Sequence, residues 1–370
     1  MTVDEKPAPR AKPWIYEAPV YKGGQAEIDG QRAVKLSSNE NPFGCSPMAK
    51  EAYARAAEDL ALYPEGSAAI LRKAIAEAHG VDPERIVCSA GSDEVLFLLA
   101  RAYLTEGDAI IKSEYGFAIY GIAARQMKAE IINAPEDDLV PSVDAFLQAM
   151  TPEVRLVFVA NPNNPTGAYL PFSEIKRLHA GLPSDVVLVI DEAYAEYIDQ
   201  EDYETALELV EGAANIVVTR TFSKIHGLAG LRIGWCYTSP EIVDVLNRVR
   251  SPFNASVPAQ QAAAAALKDK EFIHASFKHN AIWLRTMTEE ISALGLRVYP
   301  SVCNFVLVEF PETLGKTALD ADRYLQSKGF IVRPMTGYGL PNCLRISIGK
   351  EEHCRGVINA LTEFQQASGS

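Results

Sequence analysis

Seven short apolar runs, at residues 86–90, 109–112, 129–132, 155–160, 186–190, 216–219 and 232–237, constrain this chain more than any other feature. They are mostly apolar rather than alternating, as strands buried on both faces are. Stretches long enough for helices lie between most of them, among them 93–104, 116–126 and 172–180. Short buried strands separated by helices make an α/β fold: a three-layer α/β/α domain around a predominantly parallel seven-stranded sheet. In such a sheet the functional groups gather where strands end.

The remaining chain suits a smaller companion domain. Helical stretches are expected at about 47–60 and at 68–79, the latter closed by Gly80, and a long helix at about 269–294 bridges to the C-terminal part. Strand candidates at 298–299, 304–309, 331–332 and 343–348, with helices near 317–328 and 351–366, make a small α+β unit that the N-terminal segment joins. The expected division is 1–45 for the arm and its contribution to the small domain, 46–275 for the large domain and 276–370 for the small one. A net charge of -13 argues against a nucleic-acid partner. Six cysteines without close metal spacing, no apolar leader and no apolar run of membrane-spanning length suit a soluble cytoplasmic protein with reduced thiols.

The strand ends carry the chemistry. After the sixth run comes Thr221-Phe222-Ser223-Lys224, with Arg232 eight residues beyond the lysine. One amine, two hydroxyls and a guanidinium suit a covalent lysine beside an anion pocket, although a solvated turn explains the same composition. Gly91, Ser92 and Asp93 end the first strand and open a helix, where exposed amides can hold a phosphate or Ser92 can serve as an ordinary N-cap. Asp191 ends a fully apolar strand, and a buried acid there needs a partner. A cationic ring nitrogen, a divalent metal or a structural cap would each serve. Six dispersed histidines weaken the metal reading. Tyr115 is a core aromatic or a stacking surface, and the Asn- and Pro-rich loop at 161–167 is irregular by composition.

The segments LSSNENPFG (36–44), YPEG (63–66), AGSDE (90–94), NPNNPTG (161–167), DEAYAEY (191–197), SKIHGLAGLRIG (223–234) and LRISIG (344–349) occur in an order that resembles the histidinol-phosphate aminotransferases, fold-type I enzymes dependent on pyridoxal 5'-phosphate. The resemblance spans nearly the whole chain. It implies that Lys224 bears the cofactor, Asp191 pairs with its ring nitrogen, and Tyr194 and Asn164 contact its phenolic oxygen. By the same resemblance Tyr115 stacks on the ring, and Gly91, Ser92, Asp93, Thr221, Ser223 and Arg232 surround the phosphate. Tyr63 reaches the phosphate of a neighbouring subunit in a homodimer. Tyr21, Asn39, Tyr63, Asn164, Arg333 and Arg345 face the substrate, with Arg345 on its acid group and Arg333 flanking it. The implied reaction moves an amino group from histidinol phosphate to 2-oxoglutarate in two half-reactions, as a step of histidine biosynthesis.

Two alternatives stay open. An aromatic amino-acid aminotransferase would use the same tyrosines and Arg345 for phenylalanine or tyrosine. A non-catalytic protein that binds a phosphorylated ligand would explain the anion donors but give Lys224, Asp191 and Tyr194 no joint purpose. There is no phosphate-binding GxxxxGK[ST] loop, HExxH pair or GxSxG elbow, and the glycines of 227–234 do not form a dinucleotide fingerprint.

Overall fold

The computed structural model describes residues 9–17, 20, 23, 25–28 and 30–366. All seven apolar runs form strands of one sheet: β1 (Ile86–Ser89), β2 (Ala109–Ser113), β3 (Glu130–Ala134), β4 (Val154–Ala160), β5 (Val187–Asp191), β6 (Ile216–Thr221) and β7 (Gly234–Thr238). Their order across the sheet is β1-β7-β6-β5-β4-β2-β3. Strand β7 runs antiparallel to both neighbours, and the other pairings are parallel.

Alternation along each strand builds two cores. Leu188 and Ile190 of β5, with Ile216 and Val218 of β6, pack on one face with the helices Ala69–His79, Phe172–Gly181 and Val257–Ala266. Val187, Val189 and Val217 pack on the other, with the helices Ser92–Tyr103, Ala118–Gln126 and Pro240–Val249. A strand's side chains alternate, so the last residues of β5 and β6 inherit the same parity. Asp191, Thr219 and Thr221 therefore share one face, and Glu192 and Arg220 the other. The expected helix at 47–60 gives way after Ala56 to a tighter turn at Ala57–Asp59, where Glu58 and Asp59 oppose the negative end of a helix dipole.

A second sheet, in the order β8 (Arg297–Tyr299), β9 (Phe305–Glu309), β11 (Cys343–Ser347), β10 (Arg333–Pro334), is antiparallel throughout. Its core includes Trp283, Met287, Val306, Leu344 and Val357, together with Leu36 from near the N-terminus. Phe330–Ile331 does not join this sheet; it pairs in parallel with Val34–Lys35. The reason is that Leu36 bridges the two layers, its N–H donating to Ile331 O at 2.7 Å and its carbonyl accepting from Ser347 N at 2.9 Å. That stitch carries residues 37–40 across the gap between the two sheets. No described helix is long and apolar enough to cross a membrane.

Candidate active site

A cavity of about 220 Å³ opens where β4, β5 and β6 end, and residues of the second sheet close it. Asp191 sits at its floor, 5% exposed. Thr219 Oγ1 and Tyr120 Oη each donate a hydrogen bond to its carboxylate at 2.9 Å. Burial pushes the Asp191 carboxyl up to about 6, against the pull of those two donors. Among the described residues no group of three His, Cys, Asp or Glu side chains could hold a metal.

Lys224 lies on the wall, its Nζ donating to Ser38 O at 3.1 Å and standing 5.5 Å from the centre of the Tyr194 ring. Burial pulls its pKa down to about 8, and the Arg345 charge adds to the fall. Tyr194 is buried, packed edge-on against Phe305, and its hydroxyl accepts from Asn39 Nδ2 at 2.9 Å. Burial raises the Tyr194 pKa, so the phenol stays protonated. Asn39 holds a left-handed backbone, φ +59°. Three bonds to the second sheet fix it there: Ser347 Oγ accepts from its N–H at 2.9 Å and donates to its Oδ1 at 2.8 Å, and Asn304 Nδ2 donates to its carbonyl at 2.9 Å.

At the opposite end of the cavity Gly91 precedes the Ser92–Tyr103 helix with φ +84° and caps it without a side chain. Ser92 is thus the first helical residue rather than the N-cap, and its hydroxyl and the first-turn amides face an anion-favouring helix terminus. A Cβ at Gly91 would lie 2.4 Å from Arg232 Nη2, so the guanidinium rests where only glycine leaves room. Arg232 donates to Asp93 at 3.2 Å and to Ser223 Oγ at 3.4 Å. Ser92, Asp93, Thr221, Ser223 and Arg232 all line the cavity.

The second sheet supplies two arginines. Arg333 on β10 and Arg345 on β11 are direct register partners, and both line the cavity. Arg345, 6% exposed, donates to Asn164 Oδ1 and to Ser37 O, the latter at 2.9 Å, while its buried Nε has no hydrogen-bond partner. Asn164 follows β4 in a loop with cis bonds at Asn161-Pro162 and Asn164-Pro165.

Three of the expected site tyrosines are not among the residues lining the described cavity. Tyr115 is not among the residues lining the cavity; its backbone N–H donates to Glu136 at 3.2 Å, and the rings on the cavity wall are those of Phe117, Tyr194 and Tyr338. The chain turns sharply at Ser113–Gly116, where Gly116 N donates to Ser113 O, and Tyr115 sits in that turn. Tyr63 is 82% exposed, stacked on Phe253, and does not line this chain's own cavity. Tyr21 lies outside the described residues. Phe117, Tyr120, Tyr338 and Glu40 were not singled out from sequence, yet three line the cavity and Tyr120 bonds its acid. The signal for Tyr120 was indirect: an acid ending a buried strand demands donors, but nothing local names them.

Comparison with known proteins agrees with this geometry. The family model for aminotransferase class I and II matches residues 31–361. A histidinol-phosphate aminotransferase of Rhodopseudomonas palustris (strain HaA2) is 52% identical over 358 residues, 96% of this chain and 98% of the relative. The chain belongs to the histidinol-phosphate aminotransferases of class I and II. A second such aminotransferase, from Maricaulis maris (strain MCS10), is 51% identical over 94% of this chain and 96% of its own length. Among solved structures, the histidinol-phosphate aminotransferase of Sinorhizobium meliloti in complex with pyridoxal-5'-phosphate superposes with a TM-score of 0.87, at 28% identity, over 97% of this chain and 98% of that one. The cavity of this aminotransferase takes residues from both sheets.

Proposed function

We propose that this aminotransferase binds pyridoxal 5'-phosphate and moves the amino group of histidinol phosphate to 2-oxoglutarate, a step of histidine biosynthesis. The donor set fits the cofactor: a glycine-opened helix terminus with Ser92, Asp93, Thr221, Ser223 and Arg232 for its phosphate, Asp191 for its ring nitrogen, Tyr194 and Asn164 for its phenolic oxygen, and Tyr115 for a ring face. When bound, the group supplies the electron sink that lets a Cα–H bond ionise.

The chain's own residues do the rest. Lys224 offers the amine that would hold the cofactor covalently and, once displaced by the substrate amine, would take the proton from the substrate Cα and deliver it to C4′ of the cofactor. A pKa of about 8 suits that exchange, since near neutral pH both forms of the amine are accessible. Asp191 keeps a proton at the ring nitrogen, its negative charge answered by the positive ring in a dry site. Arg345, braced by Asn164 and Ser37, orients the substrate's acid group.

The observation that favours a phosphorylated donor is the pairing of Arg333 with Arg345. Like charges directly opposite on neighbouring strands are destabilising. A carboxylate needs only one guanidinium fork, whereas a phosphate dianion can use two. Arg333→Gln should lower kcat/KM for histidinol phosphate by about tenfold or more and that for phenylalanine by less than about threefold. Equal losses on both substrates would contradict the reading and favour an aromatic amino-acid aminotransferase.

The working unit is a homodimer in which Tyr63 of one copy completes the phosphate end of the other's cavity. Its support is the number of large apolar side chains left exposed, Tyr53, Leu60, Leu62, Tyr63, Ile70 and Phe253, with Tyr63 stacked on Phe253.

A further inference from the structure

Both oxygens of Asp191 are held by hydroxyl donors from neighbouring elements, Tyr120 Oη on Oδ2 and Thr219 Oγ1 on Oδ1, each at 2.9 Å. Tyr120 is fully buried. Its ring stacks on Phe158 of β4 with centroids 4.8 Å apart and planes 8° apart, and meets Phe117 edge-on at 5.8 Å and 87°. Phe158 is the register partner of Val189, two residues before Asp191 on β5. One side chain thus touches the strand beside the acid, the aromatic wall of the cavity and the acid itself.

We propose that Tyr120 is a positioning residue of the transamination, which aims the Asp191 carboxylate into the cavity, keeps it ionised and fixes its place relative to Phe117. The proposal rests on the reading that Asp191 serves the ring nitrogen of pyridoxal 5'-phosphate. An ionised carboxylate has about four lone-pair positions, so one hydroxyl on each oxygen leaves acceptor capacity for a donor arriving from the cavity. Hydroxyl donors favour the ionised form, because a protonated carboxyl accepts them less well. The other charges near Asp191 act the opposite way. Asp93, from the Ser92–Tyr103 helix, and Glu192, next along the chain, both raise its pKa alongside burial. Each has its own cation, Arg232 for Asp93 and Arg220 for Glu192. Tyr120 and Thr219 are the donors that oppose this rise.

Tyr120→Phe keeps the ring and both aromatic contacts and deletes one hydroxyl. In the cofactor-free protein, infrared difference spectra against Asp191→Asn, taken from roughly pH 4 to 9, read the protonation midpoint of Asp191 directly. The midpoint should rise by about one pH unit in Tyr120→Phe, and Thr219→Val should move it the same way. In the loaded protein, affinity for pyridoxal 5'-phosphate should fall about twofold at pH 7, where a midpoint moved from about 6 to about 7 halves the ionised fraction, and toward about tenfold at lower pH. A tyrosine that merely fills the core would lower the melting temperature of Tyr120→Phe and leave the midpoint in place, and that result overturns the proposal. Failure of the parent protein to take up pyridoxal 5'-phosphate would instead overturn the functional reading, with the infrared midpoints still deciding whether Tyr120 governs Asp191.

Discussion

Lys224 shows how burial tunes a single side chain for its task. An amine with the ordinary lysine value of 10.5 would be almost wholly protonated at neutral pH, and a protonated amine has no lone pair to attack a carbonyl. Burial first, and the Arg345 charge second, bring it down to about 8. The neutral form therefore accumulates as pH rises through about 8. Borohydride-fixed capture of pyridoxal by the cofactor-free protein should climb through that pH and level off above it. Arg345→Gln removes a repelling charge, so its midpoint should move up while burial keeps it below 10.5. A midpoint near 10.5 in the parent, or a downward move in Arg345→Gln, would contradict this account. The sequence placed Lys224 and Asp191 because a strand end followed by polar residues is a local pattern. The stacking role of Tyr115 came from the family resemblance, because a tyrosine in a turn carries no local signal of which way its ring faces.

Among elements, β5 and β6 act as a pair. Their cavity face carries Asp191, Thr219 and Thr221, and their far face carries a buried ion pair. Arg220 Nε lies 3.0 Å from Glu192, its Nη1 2.9 Å from Glu196, and its Nη2 donates to Thr205 at 3.1 Å. Glu192 in turn accepts from Thr205 and from the Ala206 N–H, both at 2.6 Å. These ion pairs and hydrogen bonds tie the two strand ends to the loop after them, although Arg220 Nε itself makes no hydrogen bond. Arg220→Met leaves Glu192 buried without its cation, a loss of about 3 kcal/mol. Glu192 can escape that loss by taking a proton, so the deficit in urea unfolding should be small until pH passes the folded value of Glu192, which burial holds above the ordinary 4.5, and grow beyond it. A deficit independent of pH would mean the arginine acts through packing alone. The strands themselves were legible from sequence because burial on both faces leaves an unbroken apolar run. The pairing of Phe330–Ile331 with Val34–Lys35 was not, since two-residue strands carry no pattern and their partners lie about 300 positions apart. The same shift puts Arg333 beside Arg345, a neighbour relation that sequence reading reduced to flanking.

At the scale of the whole molecule, the cavity joins groups that meet only when both sheets are assembled. Asn39, Asn164 and Arg345 come from three distant segments and are linked by hydrogen bonds through Ser347 and Ser37. Local periodicity cannot express such links, and the resemblance to a known family supplied those residues instead. In the proposed homodimer, Tyr63 would extend this logic beyond one chain. Sedimentation should give twice the mass of the chain, and Tyr63→Ala should weaken cofactor affinity about tenfold while leaving the dimer intact. A monomeric parent with full activity would remove Tyr63 from the site.

The central claim is that this cavity selects a phosphorylated amino donor, and the parent enzyme tests it with two substrates. Under saturating 2-oxoglutarate, kcat/KM for histidinol phosphate should exceed that for phenylalanine by at least about tenfold, equivalent to about 1.4 kcal/mol of preferential transition-state stabilisation. Equal or lower efficiency with histidinol phosphate would contradict the claim, and Arg333 and Arg345 would then need another explanation.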